Sequence, residues 1–119
     1  MPEIHQKGKE MEQCIKACLD CHAICLETVT YCAQKGGKHV EAVRLQLLLD
    51  CTEICQTAAN FMCRGSGTHG RICGVCAEVC EQCAKSCAQF GDDTQMKACA
   101  EACRRCGERC GECCRRMAA

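Results

Sequence analysis

Nineteen of the 119 residues are cysteine, about one in six, and they are regularly spaced. They fall into four clusters. The first holds Cys14, Cys18, Cys21, Cys25 and Cys32, and the second Cys51, Cys55 and Cys63. The third holds Cys73, Cys76, Cys80, Cys83 and Cys87, and the fourth Cys99, Cys103, Cys106, Cys110, Cys113 and Cys114. Steps between neighbours run 4-3-4-7 in the first cluster, 3-4-3-4 in the third, and 4-3-4-3 from Cys99 to Cys113. Thiolates are both nucleophiles and soft-metal ligands. Such a set can therefore cross-link the chain, do redox chemistry, or hold Cu(I), zinc or an iron–sulfur cluster.

Alternating steps of three and four mark the seam of a helix that faces other helices. In the second segment Leu48, Cys51, Cys55, Ala58 and Met62 keep the rhythm, and Thr28 fills the one gap in the first. Seventeen cysteines then lie on a seam, while Cys63 and Cys114 fall beside it. The intervening stretches 35–38, 64–70 and 91–94 hold glycines suited to ending one helix, and the last two also hold a Thr or Asp suited to capping the next. Pro2 is the only proline. The spacing predicts an all-α, antiparallel up-down-up-down four-helix bundle, with helices of roughly 19 to 26 residues and a cysteine-lined core. One domain over residues 1–119 is expected, with 1–9 as a flexible N-terminal segment.

Composition narrows the function. Leu, Ile, Val and Phe number only 18, or 15% of the chain, and Trp is absent. An ordinary core uses more. Lys plus Arg equals Asp plus Glu at 15 each, with a single Tyr and two Phe. That removes both the basic footprint and the stacking platforms of a nucleic-acid binder. The apolar stretch around Leu45–Leu49 is far short of the roughly 20 residues that span a bilayer. No hydrophobic region follows the charged N-terminus, so a cytoplasmic address with reduced thiols is expected.

Reduced thiols weigh against disulfides, and so does geometry. Residues i and i+3 or i+4 sit about 5–6 Å apart at Cβ, beyond disulfide reach. Two or three buried cysteines could simply be small hydrophobes. Seventeen consecutive seam positions could not, because Leu, Ile or Val would pack the bundle better. The C-x3-C-x2-C string at Cys14, Cys18 and Cys21 matches the spacing of cluster-binding radical enzymes. It recurs at Cys99, Cys103 and Cys106 as a by-product of the seam, and those enzymes need a much larger barrel. Zinc prefers discrete four-ligand sites, whereas this stripe runs on without dividing. Multiple Cu(I) ions suit it best, since one monovalent ion per thiolate neutralises the buried charge. Zinc or other soft-metal sequestration, a metallothionein-like role, stays open as the alternative.

No enzyme is expected. Paired carboxylates, a P-loop and an HExxH string are all missing. A redox site would need a pair such as Cys21 and His22, yet adjacent residues on a helix point about 100° apart.

The repeated 3-4 cysteine seam, from about Cys14 to Cys114, resembles the four-helix-bundle copper storage proteins of bacteria, of the kind without an export signal. The resemblance implies a core that binds many Cu(I) ions, a cytosolic location and a homotetramer. Copper donor or acceptor proteins would be its transient partners.

Up-down topology gathers Met11, Cys14, Met62, Cys63, His69, Cys73, Cys113, Cys114 and Met117 at one end. Val29, Tyr31, Cys32, Leu45, Leu48, Phe90 and Met96 gather at the other. Thioethers and an imidazole near thiols suit a metal mouth formed by Met62, Met117, Met11 and His69, while bulky apolar residues suit a plug. Met62 and Met117 serve equally well as gap-filling core residues. His22 is expected at a helix interface, and His5 and His39 in solvent. A salt-bridged outer face is expected for the arginines and glutamates of the last helix. Gly107 and Gly111 are expected to let a neighbouring helix approach closely, and Gly74 has no evident role.

Overall fold

The computed structural model describes residues 8–118, and the side chains of 8–116. The expected flexible segment therefore lies mostly outside the described residues, as do His5 and the side chain of Met117. Four α-helices follow one another: α1 (Lys9–Lys35), α2 (Ala42–Cys63), α3 (His69–Ala88) and α4 (Thr94–Ala118). They form a rod of 56 × 22 × 21 Å. Helix α1 packs on α2 and α4, and α3 packs on α2 and α4. This is the square of an antiparallel bundle, as the seam spacing predicts.

Local chemistry sets the helix ends. After α2, Gly65 takes a φ of +67°. Its N–H donates to the Met62 carbonyl at 3.0 Å and the Ser66 N–H to the Phe61 carbonyl at 3.0 Å. These two bonds make a Schellman motif, which satisfies carbonyls the helix leaves orphaned. Asp93 caps α4, with Oδ1 accepting the Met96 N–H at 3.1 Å. The other expected cap is absent: Thr68 precedes α3, but its backbone is helical and its side chain makes no capping bond. A 3-10 turn, Gly37–Val40, occupies the first break, and α2 starts after Glu41 with no side-chain cap.

The core is sulfur and small residues. All 17 seam cysteines are buried, whereas Cys63 is exposed and Cys114 half-buried. Thr28 is also fully buried, donating from Oγ1 to the Ile24 carbonyl at 2.7 Å and accepting from Gln95 at 3.0 Å. Glycines let α3 and α4 close up. A Cβ on Gly74 would lie 2.9 Å from Cys114 Sγ, so the missing side chain is the space that Cys114 occupies. At Gly107 the helices are in ordinary van der Waals contact, with 3.5 Å from an added Cβ to Cys80 Cβ. Across α1 and α4, Arg109 donates to Gln13 and Arg116 to Glu10. Arg104 pairs with Glu101 along α4.

Candidate metal centre

The helices aim their seams at the bundle axis, and the thiols meet there as one column. Cys14 Sγ lies 3.6 Å from Cys110 Sγ, which lies 3.4 Å from Cys18 Sγ. The contacts continue through Cys18–Cys106 at 3.6 Å, Cys106–Cys55 at 3.7 Å and Cys55–Cys80 at 3.6 Å. They pass on through Cys80–Cys51 at 3.7 Å, Cys51–Cys21 at 3.7 Å and Cys21–Cys103 at 3.7 Å. Cys103–Cys25 at 3.7 Å and Cys25–Cys99 at 3.9 Å complete it. Every cysteine is a free thiol.

These separations fit metal bridging. Two sulfurs bonded to one ion at about 2.3 Å lie about 3.8 Å apart at the tetrahedral angle and about 4.6 Å apart when opposed. Among the described residues, four sets of sulfurs lie mutually within 4.8 Å. They are Cys18, Cys76, Cys106 and Cys110; Cys21, Cys55, Cys80 and Cys106; Cys21, Cys25, Cys51 and Cys103; and Cys14, Cys73 and Cys110. The sets overlap, because Cys21, Cys106 and Cys110 each belong to two. A chain of shared ligands is therefore built in.

The metal-free column is mixed: hydrogen bonds between thiols hold Cys14, Cys21, Cys51, Cys76 and Cys99 below the ordinary thiol range and hold others above it. Burial pushes the Cys32 and Cys113 thiols up. Hydrogen bonding to Cys106 holds Cys18 and Cys55 up, and hydrogen bonding to Cys21 does the same for Cys103. Filling the column must then displace protons, so affinity rises with pH.

The two ends differ. At one, a depression of about 210 Å³ is lined by Met11, His69, Cys113, Glu10, Glu112 and Arg109, among others. His69 Nδ1 donates to the Ser66 carbonyl at 2.7 Å, so Nε2 is the ring nitrogen left to meet a metal. Met62 is fully buried in the core and does not line this depression. At the other end Cys32, Leu48 and Met96 are buried, with Val29, Tyr31, Leu45 and Phe90 packed against them. That is the expected plug.

Two residues of the plug escaped the sequence reading. His39 is not solvated: the 3-10 turn stacks its ring on Phe90 at 4.2 Å and sets Nε2 3.1 Å from Asp93 Oδ2. Tyr31 also donates to Asp93 Oδ2, at 2.8 Å. Arg44 is buried over the Phe90 ring, its Cζ 4.3 Å from the centroid. The missed signal was the rhythm itself, since Arg44 lies one step of four before Leu48. His22 is the expected interface histidine, donating from Nδ1 to the Thr52 carbonyl at 2.8 Å. Its neighbour Cys21 turns into the core, so the two do not form a redox pair.

Fold and site together define a class: a four-helix bundle whose interior is a continuous, reduced thiol column. The sequence profile of the copper storage protein family matches residues 7–118, and the chain belongs to that family. A crystal structure of a protein from Nitrosospira multiformis superposes with a TM-score of 0.85 at 44% identity, covering 90% of this chain and 96% of that one. The Cu(I)-bound copper storage protein of Bacillus subtilis gives 0.81 at 35% identity, covering 93% and 100%. A cytosolic copper storage protein from Streptomyces lividans, solved with five coppers, gives 0.81 at 28% identity, covering 90% and 93%.

Proposed function

We propose that this chain stores and buffers Cu(I) in the cytosol, binding many ions through the thiolates of its core, without catalysis. The overlap of the sulfur sets at Cys21, Cys106 and Cys110 carries this reading. Shared thiolates let neighbouring ions form clusters, and one monovalent ion per thiolate leaves no residual charge. Zinc on four buried thiolates would leave two negative charges in a low-dielectric core, a state with a large desolvation penalty. The 17 buried cysteines are the storage ligands. Cys63 and Cys114 lie at the margin of the set. Met11 and His69 receive ions at the depression, and Met62 adds a thioether at the same end.

The chain folds as one domain and assembles as a homotetramer. Leu19 and Leu26 on α1, Val43 and Leu49 on α2, and Val75 on α3 are between 41% and 67% exposed, and subunit contacts would cover them. Copper donor and acceptor proteins are its transient partners.

The test is selectivity inside a cell. The protein is produced in the bacterial cytosol with copper and zinc both supplemented, purified anaerobically, and its metals counted. Copper in large excess over zinc is expected; a zinc-filled, copper-poor protein would favour the metallothionein-like alternative.

A further inference from the structure

The chain of thiol contacts ends at Cys25 and Cys99 and does not reach Cys32. Among the described residues, Cys32 belongs to none of the four sulfur sets, and its one sulfur partner is a thioether. Its thiol donates to Met96 Sδ, the two sulfurs lie 3.9 Å apart, and both residues are 0% exposed. Thr28 makes the break. It takes the seam position between Cys25 and Cys32, so α1 steps seven residues, about 10 Å of rise, from one thiol to the next. Its hydroxyl is spent on the Ile24 carbonyl and on Gln95, and it adds no sulfur to the column.

Neighbouring bonds hold the two sulfurs face to face. Asp93 Oδ1 accepts the Met96 N–H at 3.1 Å, and Asp93 Oδ2 accepts from Tyr31, the residue before Cys32, at 2.8 Å. Gln95, the residue before Met96, donates to Thr28 at 3.0 Å. Residues beside each sulfur thus tie α1 to the start of α4. At 3.9 Å the pair fits one ion between two bonds of about 2.3 Å, and the flexible Met96 side chain can open it to about 4.6 Å for opposed ligands. Charge then selects the ion. A thiolate and a neutral thioether around Cu(I) sum to zero, the state that a dry interior favours. Zn²⁺ would keep a positive charge there and find only half of its preferred four ligands. Thioether sulfur also suits a soft monovalent ion.

We propose that Cys32 and Met96 form a separate Cu(I) site, one thiolate and one thioether, at the plugged end beyond Thr28. The site rests on the storage reading above. It adds a ligand, Met96, and a single-ion position outside the shared thiol clusters. Binding breaks the Cys32 S–H bond and forms a Cu–S bond, and the proton leaves to solvent. Met96 Sδ contributes a lone pair, and copper stays Cu(I) throughout. Met96 is the seam position of α4 one turn before Cys99, so ions arrive by way of the column. The site fills last and empties first, because a neutral thioether holds Cu(I) more weakly than a second thiolate would.

The experiment is an anaerobic Cu(I) titration of the full chain against a chelator, comparing the parent, Met96→Leu, Cys32→Ser and the double variant. Leu keeps the volume of Met96 but offers copper no lone pair. Met96→Leu should fill to one ion fewer than the parent, the ion lost being the last to bind. Cys32→Ser should lose the same ion, and the double variant no more than either single one. A second measurement needs no change at the site. In protein labelled with carbon-13 at the methionine methyls, the Met96 resonance is assigned by elimination, using Leu variants of the other methionines. It should shift with the last increment of copper, and should not shift at that step in Cys32→Ser. A full complement of copper in Met96→Leu would overturn the proposal and make Met96 a packing residue. So would a Met96 resonance that the last copper does not move, or losses that add in the double variant. A parent that binds only one or a few ions would instead overturn the storage reading, so the two failures are distinct.

Discussion

Cys18 Sγ and Cys110 Sγ lie 3.4 Å apart although 92 residues separate them along the chain. The first helix and the last are thus joined through sulfur at the axis, without a disulfide. Contacts of this kind run from Cys14 to Cys99 and join those thiols into one connected ligand set.

Shared ligands should matter more than their number. Cys106→Ser removes a sulfur common to two sets and should lower Cu(I) capacity by more than one ion. Cys63→Ser removes an exposed thiol off the seam and should leave capacity within one ion of the parent. Titration to saturation against a chelator reads both. Equal losses would show that connectivity is irrelevant.

Loading speed should depend on the depression. His69 spends Nδ1 on the Ser66 carbonyl, which leaves Nε2 as the nitrogen able to meet a metal, and Met11 lines the same hollow. His69→Phe together with Met11→Leu should slow Cu(I) uptake severalfold while leaving the final capacity unchanged. Stopped-flow transfer from a Cu(I) donor complex measures it. Replacing Met62 and Met117 by Leu should slow uptake as well; unchanged kinetics would assign them to packing.

Much of this arrangement was legible in the cysteine spacing, for a physical reason. A seam is a one-dimensional pattern, and 3-4 alternation leaves few other ways to bury 17 small residues on four helices. Cys63 and Cys114 stood out as off-register for the same reason, and burial separates them from the rest. Contacts between elements were less legible. His39 looks solvated in a Gly- and Lys-rich stretch, and only the backbone of the 3-10 turn brings it onto Phe90. Gly74 is unaccountable until Cys114 on the next helix is seen beside it. Thr68 has the right chemistry for a cap but helical backbone angles, so its hydroxyl makes no capping bond. Arg44 was on the rhythm, but a charge within an apolar row reads as surface.

Gly74 and Cys114 should be energetically coupled. Within a helix, Gly→Ala gains about 1 kcal/mol by propensity alone. In the parent, the new Cβ would meet Cys114 Sγ at 2.9 Å and force that side chain to rotate away, offsetting the gain. Gly74→Ala should therefore be near neutral in the parent and stabilising by about 0.5–1 kcal/mol in a Cys114→Ala background. Thermal unfolding of the four proteins closes the cycle. Additivity would place Cys114 elsewhere.

Alkali should unfold the metal-free bundle. Burial raises the Cys32 and Cys113 thiols, so the folded state holds their protons at pH values where the unfolded chain has lost them. Their contribution to stability is then fully present below the ordinary thiol value of about 8.5 and is lost as pH rises through the folded values. Melting temperatures measured anaerobically should be flat from neutrality to about pH 8 and fall above it. A rise in that range would reverse the sign and contradict proton retention at Cys32 and Cys113.

The column works as a store, not as a single site. Fully reduced protein, titrated anaerobically with Cu(I) against a high-affinity chelator, tests it most directly. The protein should outcompete the chelator until the copper-to-protein ratio approaches its 17 buried thiols. Saturation at one or a few ions would contradict it.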